Sequence, residues 1–137
     1  MAVATCTVCP HHCVLKTGQT GRCRVRRNVG GTVTSLTYGH PCAVNVDPIE
    51  KKPLFHFLPG TRTFSIGMAG CNLNCLDCQN AEISQHGPAG LPAYELPPRA
   101  VAAAAAEAEC PSVSYTYTEP LVASEYVCDC AEACRGA

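Results

Sequence analysis

The chain is 137 residues long, with 10 Lys and Arg against 11 Asp and Glu, a net charge of −1 and 12 cysteines. That length fits one domain, or one domain and a small module. The near-zero charge gives no reason to expect nucleic acid or an acidic membrane surface as partner, and no apolar run approaches the roughly 18 residues of a membrane span.

Met1 to Thr5 carry no charged start, so no export signal is read and a cytoplasmic protein is expected. Cysteines this dense in a cytosolic sequence read as metal ligands rather than disulfides. The first group is Cys6, Cys9 and Cys13, completed by Cys23. A Cys-x2-Cys knuckle with two further thiols makes a closed four-thiolate shell possible, for zinc or a second iron–sulfur cluster. Four ligands leave no open position for chemistry, so the role expected here is structural. His11 and His12 could substitute, but adjacent histidines point in different directions and both are read as surface residues.

Arg22 to Arg27 and Thr32 to Tyr38 flank Asn28-Val29-Gly30-Gly31, which reads as a hairpin. Its four arginines are expected on a solvated edge-strand face. Residues 40–60 hold four prolines and read as an ordered linker. Leu54, Phe55, Phe57 and Leu58 are expected to pack on the α/β part of the chain; Lys51, Lys52 and His56 could line a site, but solvent exposure is the expected reading. Pro59-Gly60 is the best boundary, dividing the chain into a four-cysteine module with hairpin and linker (1–58) and that α/β part (59–137).

Arg62 to Met68 reads as a short buried strand. It runs into Gly70-Cys71-Asn72-Leu73-Asn74-Cys75-Leu76-Asp77-Cys78-Gln79-Asn80, three cysteines spaced Cys-x3-Cys-x2-Cys with no fourth nearby. A cubane cluster held by three thiolates keeps one iron free for a ligand that is not protein, whereas ferredoxin clusters use four cysteines. Gly67 and Gly70 are expected to let the backbone approach inorganic sulfide. The stretch 87–92 breaks regular structure. Leu96-Pro97-Pro98-Arg99 then opens an alanine-filled helix that ends at Cys110-Pro111. Val113 to Thr118 alternates like a strand, and a second helix runs from Leu121 to about Cys134. This order implies parallel strands, and ligands of parallel α/β folds sit at the strands' carboxyl ends. Both Cys71–Cys78 and Glu119 fall there. The remaining thiols, Cys42, Cys110, Cys128, Cys130 and Cys134, read as buried or free rather than ligating.

Across nearly its whole length the sequence resembles the AmmeMemoRadiSam-system radical S-adenosylmethionine (SAM) enzymes, relatives of the pyruvate formate-lyase activating enzymes. The resemblance rests on Cys6-x2-Cys9-Pro10-x2-Cys13 with Gly21-x-Cys23, Ser35 to Gly39, Asp47 to Gly60, the cysteine loop with Gln79-Asn80, Glu82 to Gln85, and Tyr115-Thr116-Tyr117-x-Glu119-Pro120. It implies the N-terminal part of a partial (β/α) barrel, with a 4Fe-4S cluster on Cys71, Cys75 and Cys78 and SAM on the fourth iron. The reduced cluster would cleave SAM to methionine and a 5′-deoxyadenosyl radical that abstracts hydrogen. An electron donor and a substrate, which could be a protein, would be the partners. Glu119 would accept a hydrogen bond from the SAM ammonium, and Gly70 and Asp77 would lie against the cofactors.

Three features depart from the family's pattern. Asp77 stands where an aromatic residue usually packs near the adenine, and its charge would disfavour cluster reduction. Thr118 replaces a usual Asn. Only two βα units precede Ala137, where a barrel needs about six, so a fragment with impaired turnover is expected. The competing readings are a non-catalytic module with zinc on both cysteine groups, and a small electron-transfer iron–sulfur protein.

Overall fold

The computed structural model describes residues 2–136. Its first strands, β1 (Val3–Thr5) and β2 (Val14–Lys16), pair antiparallel. The loop between them carries Cys6, Cys9 and Cys13 and is closed by the Cys6 N–H donating to the Cys13 carbonyl at 2.9 Å. No alternation in the sequence signals this hairpin, because each strand is only three residues long. The expected second hairpin comes next, β3 (Arg26–Val29) against β4 (Thr32–Ser35). Gly30 (φ 62°) and Gly31 (φ 103°) turn it, the two left-handed residues that a two-residue turn of this hand requires.

Arg26 corrects the solvated-face reading of the arginine run. The strand alternation turns it inward, leaving its side chain 2% exposed. Its Nε donates to the Val122 carbonyl at 2.8 Å, and both terminal nitrogens donate to the Glu125 carboxylate. Such a fork-on-carboxylate pair satisfies most of the donors of a cation that would otherwise be costly to bury. Arg22 and Arg27 do face solvent, while half-buried Arg24 donates to Gln85 Oε1 at 3.3 Å.

The linker reading is corrected at residues 43–48. These form β5 (Ala43–Pro48), antiparallel to β6 (Arg62–Gly67) through six register pairs from Ala43↔Gly67 to Pro48↔Arg62. The expected division at 58/59 therefore falls between two paired strands. β5 hides its nature because it is an edge strand, and its one buried member is charged Asp47. A 3-10 turn (Ile49–Lys51) comes after it. The apolar group beyond that turn also differs from expectation: Leu54, Phe55, Phe57 and Leu58 are all exposed.

After the cysteine loop come α1 (Ala81–Ser84), α2 (Pro98–Glu107), β7 (Val113–Tyr115), a 3-10 turn (Pro120–Ala123) and α3 (Ser124–Arg135). The sheet order is β5-β6-β7, with β6 and β7 parallel. Pro98 occupies the first turn of α2, where its missing N–H costs nothing. β7 stops at Tyr115, short of the expected Thr118, because Tyr117 takes φ 69°. Phe64, Ile66 and Met68 pack with Val101 and Ala105 of α2 and Tyr126 and Cys130 of α3. A second apolar group, Cys23, Val25, Cys42, Ala69 and Val122, joins the N-terminal module to the cysteine loop. Among the described residues no helix is long and apolar enough to cross a membrane.

Glu125→Ala strands the buried Arg26 cation and should cost roughly 3 kcal/mol in urea unfolding. Arg26 holds the Glu125 carboxyl down to about 2. Its contribution is therefore present above the ordinary glutamate range and is lost as pH falls toward 2. The stability gap between wild type and Glu125→Gln should close over that window.

Candidate functional site

β6 ends at Gly67, and the chain then turns through Met68, Ala69 and Gly70 into the cysteines. The two glycines are both required by close protein packing. A Cβ at Gly67 would lie 2.6 Å from Tyr117 Cδ2. One at Gly70, which has φ 78°, would lie 2.3 Å from the Cys23 carbonyl oxygen and 2.7 Å from Val25 Cγ1. Gly70 thus seats the cysteine loop on the N-terminal module, and its N–H donates to the Ile83 carbonyl at 2.8 Å. His11 adds a second tie, its Nε2 lying 2.8 Å from the Asn72 carbonyl oxygen.

Cys71, Cys75 and Cys78 line one cavity of about 240 Å³ together with Leu73, Ser84, Gln85, Tyr117, Thr118 and Glu119. Cys71 is buried, Cys78 half-buried and Cys75 exposed. Cys78 Sγ lies 3.2 Å from the buried Ser84 hydroxyl, and Leu73 N–H reaches Cys71 Sγ at 3.5 Å. Two bonds fix the end of β7 against the loop. Asn80 Nδ2 donates to the Tyr117 carbonyl at 3.0 Å, and Thr118 Oγ1 donates to the Met68 carbonyl at 2.9 Å. Glu119 follows directly, and its Oε1 accepts from Leu121 N–H at 3.1 Å, capping the 3-10 turn. A carboxylate oxygen pair can accept further donors while making that cap. Asp77 is exposed and lies outside this lining.

Among the described residues no group of three or more His, Cys, Asp or Glu side chains converges on the point that a single ion would occupy. A cubane makes a different demand, because its thiolates bind separate irons and need to ring a space rather than meet at a point. The three loop thiols line one cavity, as such a group would require. Zinc would require its sulfurs about 2.3 Å from one centre. The N-terminal thiols share one module but do not meet that geometry. Cys13 Sγ packs beside Gly21 and accepts from Arg22 N–H at 3.5 Å. Burial pushes the Cys23 thiol up, and the nearby Cys6 and Cys9 add repulsion that raises it further.

No protein-family model matches the chain, and no solved structure matches it. An uncharacterized protein of Methanocaldococcus jannaschii is 46% identical over 124 residues. The match covers 90% of this chain and 37% of that relative, so the chain spans little more than a third of the curated protein it matches.

Several contacts of the site join residues far apart in the chain. Tyr117 donates its hydroxyl to Asp47 Oδ2 at 2.6 Å and accepts from Asn45 Nδ2 at 3.1 Å, which ties the cavity wall to β5. Lys52, expected in solvent, is 9% exposed; its ammonium donates to Asp47 Oδ2 at 2.7 Å and stands 4.6 Å from the centre of the Tyr117 ring. Lys51 donates to Asp47 Oδ1 at 2.8 Å. Burial acts to raise the Asp47 carboxyl, but these donors outweigh it and hold the group well below the usual carboxylate range. Of the remaining cysteines, Cys42, Cys110 and Cys130 are buried, Cys134 is half-buried and Cys128 is exposed.

Gly70→Ala forces a methyl group into the Cys23 carbonyl and should lower stability by more than about 2 kcal/mol. Gly90→Ala, at φ 83° with nothing within 4 Å of its Cβ position, bears only the backbone strain and should cost about 1 kcal/mol. Thermal unfolding of the two variants side by side checks the difference.

Proposed function

We propose that this chain is the cluster-bearing part of a radical SAM iron–sulfur protein, with Cys71, Cys75 and Cys78 holding a 4Fe-4S cluster. The observation that carries the reading is that these three thiols and Glu119 line the same cavity. They arrive there from the ends of two parallel strands, β6 and β7. When bound and reduced by an electron donor, such a cluster would supply the one-electron chemistry for reductive cleavage of SAM to methionine and a 5′-deoxyadenosyl radical.

The chain's own residues divide the remaining work. Three thiolates leave one iron corner without a protein ligand. Glu119, anchored by its cap on Leu121 N–H, offers carboxylate oxygen to the SAM ammonium, a charge-assisted bond. Tyr117 and Thr118 hold the strand end that presents it. The four N-terminal cysteines, carried on one module, would hold a structural metal, zinc or a second cluster. Substrate and electron donor would approach through the exposed Cys75 side of the loop.

Anaerobic reconstitution of wild type should load about four irons and four sulfides at the loop, and a Cys71/Cys75/Cys78 triple-alanine variant should lose them. Zinc as the sole metal, unchanged by the triple substitution, would sink the cluster reading. In the dithionite-reduced protein SAM should change the cluster's paramagnetic resonance spectrum. Glu119→Gln should weaken that response about tenfold in SAM concentration.

A further inference from the structure

A second pocket of about 400 Å³ adjoins the cysteine cavity, sharing Tyr117 as a wall and lined otherwise by Lys51, Lys52, Gln79, Asn80 and Thr116. We propose that it is an oxyanion subsite, which takes a carboxylate or phosphate group of the molecule acted on at the cysteine cavity. Calling the ligand a substrate rests on the radical SAM reading; the anion site itself does not.

The argument begins with Lys52. An ammonium nine-tenths buried is expensive unless its charge is compensated, and the nearest compensation is Asp47, itself 8% exposed. One carboxylate there serves two ammonium groups and the Tyr117 hydroxyl. Two cations against one anion leave the cluster one positive charge in excess. Anchoring Asp47 requires only one of the two lysines. Each ammonium has three N–H donors and gives one of them to Asp47.

No acidic residue lines the pocket, and every lining side chain can donate a hydrogen bond. The Asn80 amide is already engaged with the Tyr117 carbonyl, and the Tyr117 hydroxyl with Asp47. The two lysines, Gln79 and Thr116 are left to meet a ligand. Neighbouring acids are committed elsewhere: Glu50 accepts from Gly60 N–H at 2.7 Å, and Glu119 caps its own turn in the adjoining cavity. Two ammonium groups that share one carboxylate and stand beside neutral donors form an arrangement suited to an oxyanion. Because the wall it shares with the cysteine cavity is one tyrosine, a ligand seated here would extend past that ring toward the loop thiols.

The test is a titration of the cluster-free 137-residue protein with sodium phosphate and, separately, sodium acetate at constant ionic strength, with sodium chloride as control. Amide resonances of Gln79, Asn80 and Thr116 are followed by nuclear magnetic resonance. Saturable shifts with either oxyanion, absent with chloride, are expected, and the arm that saturates at lower concentration identifies phosphate or carboxylate. Lys51→Gln alters a side chain that is 58% exposed and should fold normally. It should weaken the oxyanion about threefold, the effect of one partly exposed charge. Thr116→Val, which removes a neutral donor, should weaken it as well. No saturable shift, equal shifts with chloride, or affinity unchanged in both variants would overturn the proposal. Failure of cluster loading would leave the anion titration standing, so the two readings fail separately.

Discussion

The backbone at residue 70 passes so near the Cys23 carbonyl that no side chain fits between them. That close approach fixes where the three-cysteine loop sits, because it clamps the start of the loop onto the segment that carries the last N-terminal cysteine. The rest of the arrangement depends on it. Val25 packs against the same glycine, Arg26 beside it reaches Val122 and Glu125, and Ala69 joins the apolar group around Cys23 and Val122. The module, the loop and the start of α3 are therefore one packed body, in which no part can shift without opening a contact of another.

Charge is handled differently at the two buried ion sites. Arg26 meets a single carboxylate through a bidentate fork and donates its third direction to a carbonyl, so its charge is closely matched. Asp47 sits among two ammonium groups and a phenol, and its surroundings are over-compensated. The first arrangement is economical and structural. The second carries more cation than folding needs, and it borders the space beside the cysteines.

Features with a local cause were legible in the sequence. The Gly30-Gly31 turn, the proline-led alanine helix, the apolar β6 and the parallel entry of β7 each depend on residues next to one another. The thiol spacing placed Cys71, Cys75 and Cys78, and pattern alone placed Glu119 at the neighbouring strand end. What stayed hidden depends on distant partners. Asp47 points inward on an edge strand only because Lys51, Lys52 and Tyr117 meet it there, so β5 reads as polar, proline-rich linker. Arg26 looks like one more surface arginine until Glu125, 99 positions away, is brought beside it. The positive φ of Tyr117 carries no compositional sign, since nothing about a tyrosine favours that backbone region. The need for glycine at position 70 is legible beside the cysteines, whereas the Cys23 carbonyl that it makes room for lies 47 positions earlier and is not.

The Arg26–Glu125 pair also constrains how the chain is made. A ribosome adds roughly 5–20 residues each second, so the 99 positions between the partners correspond to about 5–20 s of synthesis. Throughout that interval the β3–β4 hairpin can close, but its inward arginine has no carboxylate to meet and must remain hydrated. The N-terminal cysteines are meanwhile available to metal before the loop that packs on them has a fixed seat. The module's final docking is thus timed by the emergence of α3, the last element to be made.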